Sequence, residues 1–600
     1  MDFFEKQEKA RLQTKWLVFY FVLAVAGIIA FLHIGFSWLC GQPLDDWEML
    51  GYTAAGVIVS VVIGSLVKIA ELSKGGKAVA EMLGGVPVNP STTDPGERRL
   101  LNVVEEMALA SGVPVPQVYV LDEEAINAFA AGYGTADAAV GVTRGCIERL
   151  SRDELQGVIG HEFSHILNGD MRLNIRLMGL LNGILFLALL GGVLMRLALT
   201  SRPRSNNDKN GGSLVAAFIA AGFILYIVGW IGVFFAKLIK AAVSRQREFL
   251  ADASAVQFTR NPNGLAGALS KIAAHSSRLQ HPKAQEASHM FFGNGVAEAW
   301  LGLFATHPPI PQRIAEIAPD FDPQSLSSAP DNDFEARAHR SGGAQLAAAA
   351  SMLESLPAFS KPATREIHSA CALVHALLLS EDESIREAQL GTLQVDQAMQ
   401  REITDMFDRR SQLSSAQRIS LVDLAIPVLR GLSAAQYYIF SAQVKRLIEA
   451  DGQIHLFEYM LQKLLLRHLD SAFLKATPAR IQHRSIIPLL PDAGVILSAI
   501  ANADDGDPDA LDAAFQAGLA HFGDAASAFP LTRQTSVNLR DFDRALESLA
   551  AASPLIKKTI LDACADAVVH DGAVNDTQFE LLRALADTVD CPMPPSVPSA

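Results

Sequence analysis

Cysteine is scarce in this sequence. Five occur in 600 residues, at Cys40, Cys146, Cys371, Cys564 and Cys591. They are scattered and form no CxxC pair, which excludes a disulfide framework and a thiolate zinc site and fits a reducing compartment for most of the chain. Positive charge is also short, with a formal net charge of −14. That excludes nucleic acid as a main partner, because phosphate backbones select basic surfaces. Charge of either sign is missing from four apolar runs, Trp16 to Cys40, Met49 to Val67, Leu177 to Met195 and Ser213 to Ala236. Each is close to the roughly 20 residues a helix needs to cross a bilayer. With no charge inside them, they offer little to an ion channel or transporter. The first run is too long for a signal-peptide core and lacks a small-residue cleavage site, so it reads as an uncleaved anchor.

Basic residues set the expected orientation. Lys6, Lys9, Arg11 and Lys15 precede the first run, and Lys68, Lys74 and Lys77 follow the second, whereas Gly41 to Glu48 between them has none. The amino terminus and the chain after Lys68 are therefore expected on the cytoplasmic side. The second hairpin is less one-sided. Arg196, Arg202, Arg204 and Lys209 lie in its loop, against Arg172, Arg176, Lys237, Lys240, Arg245 and Arg247 on the other side. Spanning is favoured, with a shallow or protein-buried hairpin as the alternative.

Between the hairpins, Gly96 to Ala110 has the pattern of an amphipathic helix. Pro116 to Leu121, Ile126 to Gly132 and Ala138 to Gly145 read as short strands. Ser151 to Asn168 reads as a helix with Ser151 as its N-cap and Asp153 and Glu154 in its first turn. A Pro-, Ser-, Asp- and Gly-rich stretch marks a linker at 321–345. Beyond it the chain is Ala- and Leu-rich with helical periodicity. Ala450 to Leu465 and His570 to Leu585 share an Asp-Gly turn and the same apolar spacing, which suggests two helical repeats. These turns do not fit a calcium loop. The expected fold class is α+β: a mainly helical, membrane-anchored domain with a small sheet and two transmembrane hairpins, then an all-α soluble region. The corresponding divisions are 1–75 (first hairpin), 76–320 (the α+β domain, including the second hairpin at 177–236), the linker, and 346–600.

The chemistry is concentrated in "HEFSH". His161 and His165 stand at i and i+4 on a helix, so both imidazoles face one point. Glu162 can reach a water bound there. The competing reading is a core helix with two satisfied histidines. A catalytic zinc needs a third protein ligand and an open position. "REFLAD" supplies Glu248 and Asp252, again at i and i+4. One can bind metal while the other holds the free N–H of a liganding histidine. The competing reading there is a charged helix face paired with Arg245 and Arg247. His165 lies as far before the third apolar run as Glu248 lies after the fourth, about 16 Å of helix in each case. If both helices run on unbroken, the ligands meet at one height; "NGD" at Asn168 to Asp170 is the weak point of that expectation.

These elements together resemble the HtpX-like membrane zinc metallopeptidases, gluzincins related to the CAAX prenyl proteases. The matching features are the first apolar hairpin, "NAFA", "AAVGVTRG", "HEFSH", the second hairpin, "REFLAD" and "THPPIPQRI". They run in the family's order over roughly Trp16 to Ala318. The resemblance implies one Zn²⁺ held by His161, His165 and Glu248, with Glu162 as general base and Asp252 as an outer partner. It implies that Asn127, Ala128, Phe129, Ala139 and Val140 form an edge strand that pairs with an extended substrate. It places His307 and Arg313 at the site, His307 to support the oxyanion or else as a turn residue before "PPIP", and Arg313 to line the cleft or brace the metal helix. Expected partners are polypeptide substrates, membrane proteins in particular, and the lipid bilayer of a bacterial inner membrane, with no nucleic acid. The helical tail, faintly TerB-like, is a candidate surface for a second copy or a protein partner. A rival from another class is a catalytically silent scaffold that recruits partners through that tail.

Overall fold

The computed structural model describes residues 3–200, 211–275, 307–321, 344–449, 456–474, 481–504, 506–523, 531–571 and 576–589, most of 277–293, and a few single residues besides. Helices α1 (Phe3–Cys40) and α2 (Trp47–Glu71) form the first hairpin. Asp46 caps α2 by accepting the Glu48 and Met49 amides. Helix α3 (Gly76–Met82) leads to strand β1 (Val86–Pro87) and helix α4 (Pro95–Ser111). Strands β2 (Gln117–Leu121), β3 (Ala128–Ala131) and β4 (Ala139–Thr143) follow, then the short helix α5 (Arg144–Arg149) and helix α6 (Arg152–Asn168). Ser151 caps α6 in a reciprocal box with Glu154, as the sequence leads one to expect. Helices α7 (Asp170–Thr200) and α8 (Gly211–Thr259) make the second hairpin. Helices α9 (Pro262–His275) and α10 (Ile310–Ile317) close this part of the chain.

Among the described residues, three helical stretches are long and apolar enough to cross a membrane: Val18–Cys40, Trp47–Lys74 and Asp170–Thr200. In α8 the described apolar stretch is Phe218–Gly232. Ile28, Leu32, Val57, Val61, Ile184, Leu187 and Val228 meet in one interior, so all four helices form a bundle. Small residues set its spacing. A Cβ on Gly183 would lie 2.3 Å from Ser65 Oγ, so only glycine lets α2 and α7 approach this closely.

The helix that carries His161 and His165 does not run on into the second hairpin. It stops at Gly169, whose φ of 71° is left-handed, and α7 starts afresh at Asp170. The expectation of two unbroken helices therefore holds only for α8. That helix is 49 residues long, about 74 Å at 1.5 Å per residue, and carries Glu248 from the bundle to α6.

The sheet has the order β1-β2-β4-β3, with β2 and β4 parallel and the other pairs antiparallel. Its apolar residues pack with α4 and α6 in a core that includes Val104, Met107, Val140, Val142, Val158 and Phe163. The same core takes in Leu346, Ala349, Leu373, Leu424, Val444 and Leu465 from helices beyond the linker. Polar contacts reinforce that junction: Arg365 makes a forked ion pair with Glu105, one arm being Nη2 to Oε2 at 2.9 Å. Residues such as Leu490, Phe515, Phe542, Ile560 and Leu585 form a second core. The helices of the two proposed repeats, Leu456–Phe473 and Asp576–Thr588, face each other, with His468 Nε2 2.8 Å from Asp587. The Asp-Gly turn of the first repeat lies outside the described residues.

Candidate active site

Helix α6 presents His161 and His165 from successive turns, and their Nε2 atoms are 3.2 Å apart. Helix α8 brings Glu248 opposite: its Oε2 is 3.6 Å from His161 Nε2 and its Oε1 3.8 Å from His165 Nε2. These three residues are the metal-capable cluster among the described residues, one ligand atom from each lying within 4.8 Å of the others.

The remaining ring nitrogens decide what the cluster can bind. His161 Nδ1 lies 2.9 Å from Asp252 Oδ1, and His165 Nδ1 lies 3.2 Å from Asp170 Oδ2. A carboxylate only accepts, so each Nδ1 carries the proton and each Nε2 turns a lone pair toward the same point. Two lone pairs at this separation repel unless a cation or a proton lies between them. Two nitrogens and a carboxylate, with His161 and Glu248 buried, His165 partly buried and outer carboxylates on both rings, fit a zinc ion. In the metal-free protein a proton takes that place. Burial opposes charge on His165, but the bond to Asp170 and the carboxylates of Glu248, Asp170 and Glu162 outweigh it and raise the group to about 9. Burial lowers His161 to about 4 against the pull of Asp252. Burial also works against the Glu248 charge, yet His307, His161 and Arg313 hold the carboxyl down at about 2.

Glu162 differs from its neighbours. It is buried, and neither carboxylate oxygen has a hydrogen-bond partner. Burial raises it to about 8, with the Glu248 charge adding to the rise and His165 opposing it. A buried carboxylate with unfilled acceptor sites beside a metal-capable cluster is suited to taking a proton.

His307 Nδ1 is 2.7 Å from Glu248 Oε2, and its Nε2 has no partner. Arg313 is buried beside the cluster, with Nη1 3.8 Å from Glu248 Oε2. Its Nε and Nη2 grip Asp252 at 2.7 and 2.6 Å, and Nη1 donates to the Phe292 carbonyl at 2.9 Å. Of its two expected roles, the bracing one matches this placement. The Phe292 ring fills the space between, 4.8 Å from both the His161 ring and the Arg313 guanidinium.

Asp170 is the site residue that sequence reasoning missed. Five residues on from His165 is about 140° round a continuous helix, the wrong face for a contact. The left-handed break at Gly169 turns Asp170 back, and Arg247 Nη1 holds its other oxygen at 2.8 Å. The Gly-Asp step directly after the histidine helix was the available signal. Asp170→Asn is expected to weaken zinc binding about 10–100-fold, the usual cost of losing an outer partner. Competition with a chromophoric chelator measures it, and an unchanged affinity would show that the contact is idle.

The sheet corrects part of the expected substrate strand. Ala139 and Val140 are not at an edge. They lie on β4, which pairs with β2 on one side and β3 on the other, so their strand has no free flank. Of β3 and β4, β3 is the one at an edge of the sheet. Even there, Phe292 N–H donates to the Ala128 carbonyl at 2.8 Å, and Phe129 bridges to Phe291. Asn127 is occupied internally: its Nδ2 donates to Ser277 O at 2.8 Å, and its Oδ1 accepts from Gly293 N at 3.2 Å. Because outward-facing groups alternate along a strand, Ala130 carries the next outward groups of β3, its N–H on the side of the Phe291 bridge and its carbonyl beyond it.

A histidine pair on one helix, a carboxylate from a second helix and a flanking edge strand, all carried on a membrane bundle, define a membrane metallopeptidase. Comparison with known proteins gives the same class. Residues 96–319 match Peptidase family M48. The chain is 35% identical over 289 residues to a "Protease HtpX homolog" of Leuconostoc citreum, covering 48% of this chain and 94% of that protein. It is 37% identical over 286 residues to the protein of that name from Ligilactobacillus salivarius, covering 47% and 93%. A third, from Streptococcus thermophilus, is 34% identical over 303 residues, covering 50% and 95%. The chain belongs to the HtpX-like metallopeptidases of family M48. No solved structure matches it.

Proposed function

We propose that the protein is a zinc-dependent endopeptidase that cuts membrane or misfolded polypeptides at the cytoplasmic face of a bacterial inner membrane. The observation that carries this reading is the convergence of His161, His165 and Glu248 within 4.8 Å, with each imidazole oriented by its own carboxylate. These three residues would hold the zinc. When bound, zinc supplies a Lewis acid for the scissile carbonyl and acidifies the attacking water.

The protein's own groups do the rest. Glu162 accepts the water's proton and passes it to the leaving amine. His307, which gives Nδ1–H to Glu248, can stabilise the developing oxyanion only as the imidazolium, through Nε2–H. Asp252 and Asp170 keep the imidazoles turned toward the metal, and Arg313 holds Asp252. The outer edge of β3 from Ala130 onward pairs with an extended polypeptide through its backbone, so recognition tolerates many side chains. The excess of basic residues around the first hairpin supports the cytoplasmic orientation. We assign 1–75 to the anchor, 76–320 to the peptidase and 346–600 to a helical region that offers a surface to a second copy or a protein partner.

The test uses the full chain purified in detergent. Casein cleavage should stop when zinc is removed with a chelator and return with one equivalent of zinc. Cleavage that ignores the chelator would refute the metal mechanism. A zinc-loaded protein that binds casein without cutting it would favour the scaffold reading.

A further inference from the structure

Arg430 ends the helix Ser415–Leu429 in the region beyond the family match. It is buried, and its guanidinium leaves its own region. Nη2 donates to the Ala136 carbonyl at 2.6 Å, and Nη1 reaches the Val115 carbonyl at 3.4 Å. Val115 lies just before β2. Ala136 lies in the loop between β3 and β4, the hairpin whose first strand is the outer strand of the sheet beside the histidine helix.

That loop is held from three directions. Its own Asp137 carboxylate accepts the Tyr133 and Gly134 amides at 2.8 and 2.7 Å. Arg172, at the start of α7, donates to the Tyr133 carbonyl at 2.6 Å. Gly76, just after the first membrane hairpin, donates its amide to the Asp137 carbonyl at 3.2 Å. Arg430 is the contribution of the helical region. A guanidinium is costly to bury and gives up water only where fixed acceptors replace it. Here those acceptors are main-chain carbonyls of the loop and of the approach to β2; burial works against the charge, and Asp137 offsets part of that. None of the groups assigned to metal or proton transfer touches Arg430.

We propose that Arg430 is a positioning residue for the substrate strand. Through Ala136 it fixes the β3–β4 hairpin, so the helical region sets how the edge beyond Ala130 meets an extended polypeptide. This rests on the proteolytic reading above. It gives the helical region a part in binding substrate and none in the chemical step.

The experiment compares wild type, Arg430→Ala and Arg430→Lys as full-length protein in detergent. It reads kcat and KM on a peptide substrate, zinc content, and hydrogen exchange across residues 128–143. Lost pre-organisation of a binding strand appears as raised KM with kcat preserved. Arg430→Ala should raise KM about tenfold, keep kcat within about twofold and retain zinc, with faster exchange in the hairpin. Arg430→Lys should fall between, since it keeps the charge but not the forked donors. Wild-type KM and exchange in the alanine variant would overturn the proposal. So would a joint fall of kcat, zinc and thermal midpoint that lysine does not relieve. Should the alanine variant fail to fold, the lysine variant decides by the same readings. If zinc-loaded wild type cleaves nothing, proteolysis fails, and the exchange data still decide whether Arg430 holds the hairpin.

Discussion

Glu162→Gln is expected to eliminate measurable cleavage while zinc stays bound. The substitution keeps the shape of the side chain and removes only its capacity to take a proton. Positioned proton transfer is worth about 10²–10⁴ in rate, so kcat should fall by about that factor while metal content stays at one per chain. A structural carboxylate would behave differently. Glu162 is buried and its carboxylate makes no side-chain hydrogen bond, so its charge is a cost to the fold rather than a support. Its folded value is raised to about 8 in the metal-free protein. A carboxyl raised in this way costs stability as pH climbs from its ordinary range through about 8. The glutamine variant is relieved of that cost, so the metal-free variant should melt no lower than the metal-free wild type at neutral pH. Turnover near the wild-type rate would remove Glu162 from the mechanism, and a large drop in melting temperature would recast it as structural.

Glu248→Ala is expected to abolish both zinc retention and activity. It deletes the ligand supplied by α8 and leaves two imidazoles, a weaker site than any three-residue catalytic zinc centre. The affinity loss should exceed the roughly 10–100-fold that follows removal of an outer partner such as Asp170. The change also strips His307 of its 2.7 Å contact, so added zinc should not restore full turnover. Metal analysis after dialysis, followed by casein cleavage in excess zinc, separates the two effects. Retention of one tightly bound zinc would mean that another residue completes the site.

The two expectations probe residues of different legibility. His161, Glu162 and His165 sit within one and a half turns, where helix geometry alone decides what shares a face. The Ser151 cap, the apolar runs and the three strands were legible for the same reason, since caps and periodicity are local. Glu248 and Asp252 were legible as a pair but not by role. That division rests on which carboxylate meets Nε2 and which meets Nδ1, and it was made by the approach of α8 to α6. "AAVGV" shows the limit from the other side. Its alternation marks a strand correctly, yet edge or interior depends on neighbours that lie elsewhere in the chain. Asp170 was hidden because a helical projection puts it on the wrong face, and a single left-handed glycine undoes that projection.

By itself the sequence determined the local frame: where helices and strands form, which stretches suit a bilayer, and that two histidines and a glutamate share one helix turn. Backbone dihedrals and side-chain period act over a few residues, so these features are complete in a short window. Tertiary structure decided what converges from a distance. It joined Glu248 to the histidines, turned Asp170 onto His165, placed Phe292 against Ala128, and set Arg430 under the β3–β4 hairpin. Such contacts depend on how whole elements pack, and no short stretch of the chain encodes that packing.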